Sequence, residues 1–476
     1  MKESVKSLPS VDQILNLEST TQLLHRYRRE HVTTAVRRAL QELREELIAQ
    51  VEATNGAAAR DSLITRVEAM IAVSLRAGNQ ASLHRVINAT GVILHTGLGR
   101  APLPAHALEA IRDVAGSYCN LELDLPSGDR GSRFVHIEPL ICELSGAEAA
   151  VVVNNNAGAV LLMLSVLASG REVIVSRGEL VEIGGSFRIP DIIEASGATI
   201  REVGTTNRTH LADYEKAIFA HTGLILAVHP SNYKVEGFTS GVDLAELVEL
   251  GRRAGVAVAY DLGGGALVDL AQWGLPPEPI VGQALATGVD VVSFSGDKVL
   301  GGPQAGIIAG KESRVQSMRT HPMMRALRCD KLILAALEAT LKLYNRPPGE
   351  ITELHPVLRM FCEPANTTQA RAHRLLGMLS SQARTQLSPQ VVTSKAQAGS
   401  GALPLVELPS FALSLTPRYC SIEQSAQQLR NGAVPVVGRI QKDRLLLDMR
   451  TVFDDDVEIV ARALEAVLPT SGGTAA

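Results

Sequence analysis

Two apolar runs in this chain each end on a residue that can hold or move a proton. Val256-Ala257-Val258-Ala259-Tyr260-Asp261 ends on an acid and is followed by Leu262-Gly263-Gly264-Gly265. Val291-Val292-Ser293-Phe294-Ser295-Gly296-Asp297-Lys298 ends on a lysine and is followed by Val299-Leu300-Gly301-Gly302-Pro303. The two ends lie about one strand–helix–strand unit apart. A lysine amine can form a Schiff base with a carbonyl cofactor. An acid nearby can keep a pyridine nitrogen protonated, so that the ring withdraws electrons. Such a site also needs a phosphate cradle. Val151-Val152-Val153-Asn154-Asn155-Asn156-Ala157-Gly158 supplies one as an apolar run, a polar turn and a helix N-terminus. Alone, a strand-end Asp is commonly a cap, and a Lys after Ser-Gly-Asp is commonly a solvated turn. Together, in the order phosphate turn, Asp261, Lys298, they point to pyridoxal phosphate. The chain lacks GxxxxGK[ST] and GxGxxG, so a nucleotide is the weaker reading.

The elements that must carry these residues are short apolar runs alternating with helical stretches. Ala149–Val153, Glu172–Ser176, Thr199–Val203, Leu224–His229, Val256–Asp261, Val289–Ser295 and Gln304–Ala309 read as strands. A helix from Ala157 and another over Asp243–Ala254 fit between them, and a third runs from Asp330 to Tyr344. This alternation implies right-handed crossovers and a mainly parallel sheet covered on both faces. In such a sheet, ligands collect at the carboxyl ends of the strands. Residues 1–84 differ: they read as a small helical domain, with Ser10 capping a helix from about Val11. They carry eleven Lys and Arg against ten Asp and Glu, and the positive charge clusters at Arg26, Arg28, Arg29, Arg37 and Arg38. The core domain is expected over 85–346, ending before Pro347-Pro348. A small α+β domain is expected over 347–470, with strands at Leu403–Leu408 and Arg444–Leu447. Its last helix runs from about Val457, capped by Asp455 or Asp456, and 471–476 is a disordered tail.

Composition bounds the rest. The chain has 476 residues, 46% of them hydrophobic and 20% charged, which is enough length and apolar content for a packed core without staples. With a net charge of −4, any nucleic-acid partner must be met by a local patch. Five cysteines without a CxxC pair read as reduced, mostly buried thiols, with no metal site. The N-terminus MKESVKSLPS has no apolar core of a signal peptide, and Ala157–Ala168 is too short to span a bilayer. A soluble, cytoplasmic protein is expected.

Over nearly its whole length the sequence resembles the bacterial selenocysteine synthase (L-seryl-tRNA(Sec) selenium transferase) family of fold-type-I pyridoxal phosphate enzymes. The resemblance rests on Leu8-Pro9-Ser10-Val11-Asp12, Arg85 through Thr96, Leu98-Gly99-Arg100, Asp129-Arg130-Gly131-Ser132-Arg133 and Asn154-Asn155-Asn156-Ala157. It continues through Ser293 to Lys298, Arg325-Ala326-Leu327-Arg328-Cys329-Asp330-Lys331, Pro435 to Arg439 and Leu447-Asp448-Met449-Arg450-Thr451. Gly97 departs from it, standing where the family pattern has Asn.

The resemblance implies an α/β fold-type-I transferase with a seven-stranded, mainly parallel sheet. It implies replacement of the serine hydroxyl of seryl-tRNA(Sec) by selenol from selenophosphate, through an aminoacrylyl intermediate. Lys298 would hold pyridoxal phosphate, Asp261 would pair with its ring nitrogen, and Asn155, Asn156, Ala157 and Ser295 would hold its phosphate. Arg100, Arg325 and Arg328 are the candidates for selenophosphate, because guanidinium forks suit a small, highly charged anion. Arg325 and Arg328 would share a face if their segment is helical. Against that stands pairing with Asp330 and Glu312 as surface bridges. Arg450 is open between a ligand contact and a structural ion pair. His95, His229 and Tyr233 border the expected site without an assigned role. The five N-terminal arginines would contact tRNA phosphates, and a homo-oligomer, a decameric ring of dimers, is expected. Two competitors stand beside this reading: a lyase of the same fold acting on a small amino acid or amino-sugar acid, and an RNA-binding scaffold with a dead cofactor site. The basic N-terminal domain opposes the first, and the intact Asp261 and Lys298 oppose the second.

Overall fold

The computed structural model describes residues 8–50, 60–79, 81–183, 185, 187–401, 403 and 406–469; the expected tail lies outside them. The chain divides into two compact units, Met1–Arg85 and Val86–Ala476.

The first unit is helical. Val11–Leu15 is opened by Ser10, whose hydroxyl accepts from the Gln13 N–H at 3.2 Å while the Gln13 side chain accepts from the Ser10 N–H at 3.0 Å. This capping box satisfies two otherwise unpaired helix donors. After Glu18–Leu24 come two long helices, α1 (Arg29–Gln50) and α2 (Arg60–Asn79). Val32, Val36, Leu43 and Leu47 recur at helical spacing on α1 and bury against Leu63, Val67 and Ile71 of α2. Arg26, Arg28, Arg29, Arg37 and Arg38 are all exposed.

In the second unit seven strands form the main sheet. They are β1 (Ala149–Val153), β2 (Glu172–Ser176), β3 (Thr199–Val203), β4 (Thr222–Val228), β5 (Ala257–Gly263), β6 (Val291–Ser295) and β7 (Gly306–Gly310), in the order β1-β7-β6-β5-β4-β2-β3. β7 runs antiparallel to β6 and β1, and the neighbouring pairs from β6 to β3 are parallel. β1, β4, β6 and β7 are buried at every residue, which is why they read as unbroken apolar runs rather than alternating ones. Helices cover the sheet, among them α3 (Asn156–Ala168), which follows β1 directly, α4 (Leu244–Ala254) and α5 (Lys331–Leu343). α3 is apolar all round because it is packed on most sides; Val160, Leu162, Met163 and Leu164 are fully buried. A fully buried Val, Leu or Met side chain contributes about 1.5–3 kcal/mol. Gly306 has a structural reason: a Cβ there would collide with the backbone carbonyl of Asn155, so β7 can run against the turn that opens α3.

A five-stranded sheet stands beside this layer. Its strands are Arg439–Ile440, Leu445–Asp448, β8 (Gln390–Gly399) and β9 (Glu407–Leu415), with Val92–Leu94 pairing parallel to β8. Residues 87–94, expected in the core domain, thus contribute strands elsewhere: Ile87–Asn88 pairs with Val436–Val437. The strand expected at Leu403–Leu408 falls instead at Glu407–Leu415. Among the cysteines Cys329 is buried and Cys119 exposed, with the other three between. No helix among the described residues is long and apolar enough to cross a membrane.

The turn after β6 is braced by a fully buried histidine. His355 Nδ1 accepts the Leu358 N–H at 3.2 Å, capping Pro356–Cys362, and Nε2 lies 2.8 Å from Leu300 O. The neutral ring uses both nitrogens, and burial pushes its pKa down to about 4 from 6.5. The unfolded chain therefore binds this proton first, so the stabilisation is complete above pH 6.5 and is lost as pH falls to about 4. The loss should be roughly 3 kcal/mol. Denaturant midpoints measured across that window should fall for the unaltered chain and fall less for His355→Gln. Parallel curves would remove His355 as the source.

Candidate active site

The sheet register brings the two strand ends together. Ser293 on β6 pairs with Asp261 on β5, and its hydroxyl donates to Asp261 Oδ1 at 3.1 Å. The Asn156 side-chain amide donates to the same oxygen at 2.8 Å. Asp261 is 4% exposed. Burial pushes its carboxyl upward, opposed by Asn156, Lys298 and Ser293. Lys298 is 5% exposed, and burial pushes its amine downward, opposed first by Asp261. The two groups thus stabilise each other's charge inside an apolar layer.

A cavity of about 310 Å³ collects most of the expected residues: Lys298, Asp261, Asn155, Asn156, Ala157, Ser295 and Arg100 all line it. The Asn155 side chain is spent on capping, accepting the Gly158 N–H at 2.8 Å. The Asn156 amide is spent on Asp261. What these residues leave for a phosphate is the first turn of α3, whose N–H groups have no helical acceptor. Arg100 stands in the left-handed region at φ 60, and its Nη1 donates to Asp297 Oδ2 at 2.7 Å.

The pair Arg325 and Arg328 does not share a helical face. The helix around Arg325 is only Met323–Leu327, and Arg328 is extended, with ψ 143. Two neighbours impose this: the Asn154 N–H donates to Leu327 O at 2.9 Å, and Asp330 caps α5 by accepting from the Leu332 and Ile333 N–H groups. Both arginines line a second cleft of about 460 Å³, which shares no lining residue with the lysine cavity, with Arg130, Arg133, Arg319 and Glu122. Pairing with Asp330 and Glu312 is not found. Arg328 instead reaches Glu122 at 3.5 Å, a carboxyl held below its ordinary range chiefly by Arg133. Arg450 is structural: it is 3% exposed and donates to the carbonyls of Met360, Glu363 and Pro409.

His229, Ser231, Asp297, Gln304, Ile183 and Phe187 also line the lysine cavity. Ser293 is the missed residue that the sequence could have given, because strand alternation puts it on the face of Ser295. Tyr233 instead donates to Gly178 O. His95 stands outside the lining, with Nδ1 buried and unpartnered; a Cβ at Gly97 would lie 3.3 Å from its Cε1.

Pyridoxal phosphate fits this cavity. Asn156 Oδ1 and Ser231 Oγ are buried there without a hydrogen-bond partner, whereas His229 Nε2 faces the Glu278 carboxylate at 3.6 Å. Buried polar atoms are rarely left so, and a polar, ring-shaped ligand would satisfy them. Asp261→Asn should weaken cofactor retention and lower turnover by roughly two orders of magnitude, because a ring nitrogen beside it would lose its proton-holding partner. Cofactor release on dialysis and steady-state rates check this; activity within a few-fold of the unaltered chain would remove Asp261 from that role.

Fold and site together define a fold-type-I pyridoxal phosphate enzyme. The solved structure of D-glucosaminate-6-phosphate ammonia-lyase shares this architecture, at TM-score 0.55 and 17% identity, covering 83% of this chain and 97% of its own. The L-seryl-tRNA selenium transferase family matches residues 86–453, and the N-terminal region of selenocysteine synthase matches 5–44. The chain belongs to the L-seryl-tRNA selenium transferase family. It is 47% identical over 467 residues to the L-seryl-tRNA(Sec) selenium transferase of Carboxydothermus hydrogenoformans, covering 98% of each chain. To that of Geobacter sulfurreducens it is 48% identical over 458 residues, 96% of this chain and 98% of the relative.

Proposed function

We propose that this chain converts L-seryl-tRNA(Sec) to L-selenocysteinyl-tRNA(Sec), with pyridoxal phosphate carried on Lys298 and selenophosphate as selenium donor. The observation that carries it is the buried Lys298–Asp261 pair at adjacent strand ends, in a chain of this family. Bound pyridoxal phosphate supplies an electron sink that lets a Cα–H bond ionise and a β-substituent leave. The rest falls to the protein. Lys298 would anchor the cofactor, and its amine, when free, would be placed to take a Cα proton. Asp261, oriented by Asn156 and Ser293, keeps a ring nitrogen protonated. The first turn of α3, with Asn155, Asn156 and Ala157, and Ser295 beside it, holds a phosphate.

Arg100, Arg325 and Arg328 take selenophosphate. Arg325 has no ion pair within 4 Å among the described residues, and Arg100 is already aimed into the lysine cavity. Within one chain the two sets line different cavities, so selenophosphate capture by all three requires them to come together. Arg26, Arg28, Arg29, Arg37 and Arg38 contact tRNA phosphates; their exposure and their place inside the matched N-terminal region support this. The enzyme works in the cytoplasm as a homo-oligomer, a ring of dimers. Binding of serylated tRNA(Sec) against serylated tRNA(Ser), each with and without selenophosphate, tests the reading. Preference for tRNA(Sec) is expected, and equal binding with no selenium transfer would sink it. A lyase acting on a small molecule would ignore both tRNAs.

A further inference from the structure

One carboxylate ties two separate segments to the wall around Lys298. Glu278 is 8% exposed and lies between the turn Leu270–Trp273 and the helix Val281–Ala286. Its Oε1 accepts the N–H of Leu403, in the connection between β8 and β9. Its Oε2 lies 3.6 Å from His229 Nε2, which is buried and has no hydrogen-bond partner. His229 lines the lysine cavity, and its backbone N–H donates to Asp261 O at 2.9 Å.

The β8–β9 connection reaches the lysine as well. Gly401 has φ +68, and a Cβ there would run into Lys298 Nζ and stand 2.7 Å from Cε. The bare Cα of Gly401 therefore packs directly on the lysine side chain; a Cβ there would push the lysine aside and would be strained at this positive φ. The Ser400 N–H donates to Leu94 O at 3.1 Å, so this connection is pinned on both flanks of Gly401.

A buried carboxylate is costly unless its charge has a use. Holding the Leu403 N–H needs only an oxygen, which a neutral glutamine also has. Beyond that contact, the second carboxylate oxygen faces the imidazole of His229 at 3.6 Å. The charged groups acting on Lys298 are Asp261, Arg100, Asp297 and Glu278. The geometry points to Glu278 as a positioning residue: it holds the Gly401 connection through Leu403 and faces His229 at 3.6 Å, tying both to the wall around Lys298. A carboxylate at this place also acts electrostatically on the lysine nitrogen.

The inference rests on Lys298 carrying the cofactor, and borohydride trapping followed by peptide mapping reads that separately. In the full-length, cofactor-loaded chain, Glu278→Gln keeps shape and the Leu403 contact but loses the charge. The pH midpoint of the cofactor's absorbance should move down by roughly half a unit or more. Glu278→Asp, which restores the charge, should move it back. Gly401→Ala leaves every charge in place and should largely abolish trapping on Lys298 by displacing the side chain. It also carries the test should Glu278→Gln fail to fold. Titration curves that overlay for Glu278→Gln and the unaltered chain overturn the role of the charge. Full trapping in Gly401→Ala overturns the contact. A tag on another lysine in the unaltered chain overturns the Lys298 assignment itself.

Discussion

Lys298→Ala abolishes turnover and leaves a folded chain. The turn that presents the lysine is held by its backbone: the Gly296 N–H donates to Ala305 O and the Gly302 N–H to Gly296 O, both at 2.8 Å. The Val299 N–H donates to Gly264 O at 3.1 Å, and Gly301 to Lys298 O at 2.9 Å. None of these bonds uses the lysine side chain, so the turn survives its loss. What goes is the one amine that this cavity, with its buried Asp261, is built around. Turnover should drop by roughly four orders of magnitude or more. Selenium transfer in a single-turnover assay, beside circular dichroism, checks both halves. A slow but measurable rate within a hundredfold of the unaltered chain would remove Lys298 from its role.

Reversing Arg28, Arg29 and Arg37 to Glu should cut tRNA binding by roughly a hundredfold at moderate salt and flatten its salt dependence. These side chains are exposed, whereas the buried seam of α1 runs through Val32, Val36, Leu43 and Leu47. The substitutions therefore leave the helical packing intact. Arg38 is a poorer target, because its Nε already lies 2.9 Å from Glu42 Oε1; such an exposed pair is worth only a few tenths of a kcal/mol. The cofactor's absorbance should be unchanged, since Lys298 and Asp261 belong to the other compact unit. Filter binding over a salt series decides it. An unaltered slope would return these arginines to the role of a solvated helix face.

The chemistry was legible where burial makes a strand uniform. Ala149–Val153 and Glu172–Ser176, buried at all or nearly all residues, have the bounds that their apolar runs predict. Thr199–Val203 also has its expected bounds, although only Val203 is buried. β8 went unread because its inward face is small: Thr393, Lys395 and Gln397 face out, and alternate with only Ser394, Ala396 and Ala398, which mark no strongly apolar face. Asp261 and Lys298 announced themselves at strand ends. Ser231 and Glu278 did not, because each becomes meaningful only through a neighbour distant in sequence. Arg325 and Arg328 looked like a helical pair by spacing alone. Backbone pairing of their segment with the β1 end, and the cap at Asp330, set the actual geometry.

The five-stranded sheet imposes an order on biogenesis. In it Val92 pairs with Gln397, and in a separate two-stranded sheet Ile87 pairs with Val436, so the first strands of the second unit leave the ribosome roughly three hundred residues before their partners. The seven-stranded sheet closes earlier, since its last strand ends at Gly310. During synthesis the nascent chain therefore holds a finished central sheet while residues 87–94 wait with open edges. Such unpaired edges attract other chains. Premature termination before about residue 390 should yield aggregation-prone fragments rather than a smaller working enzyme.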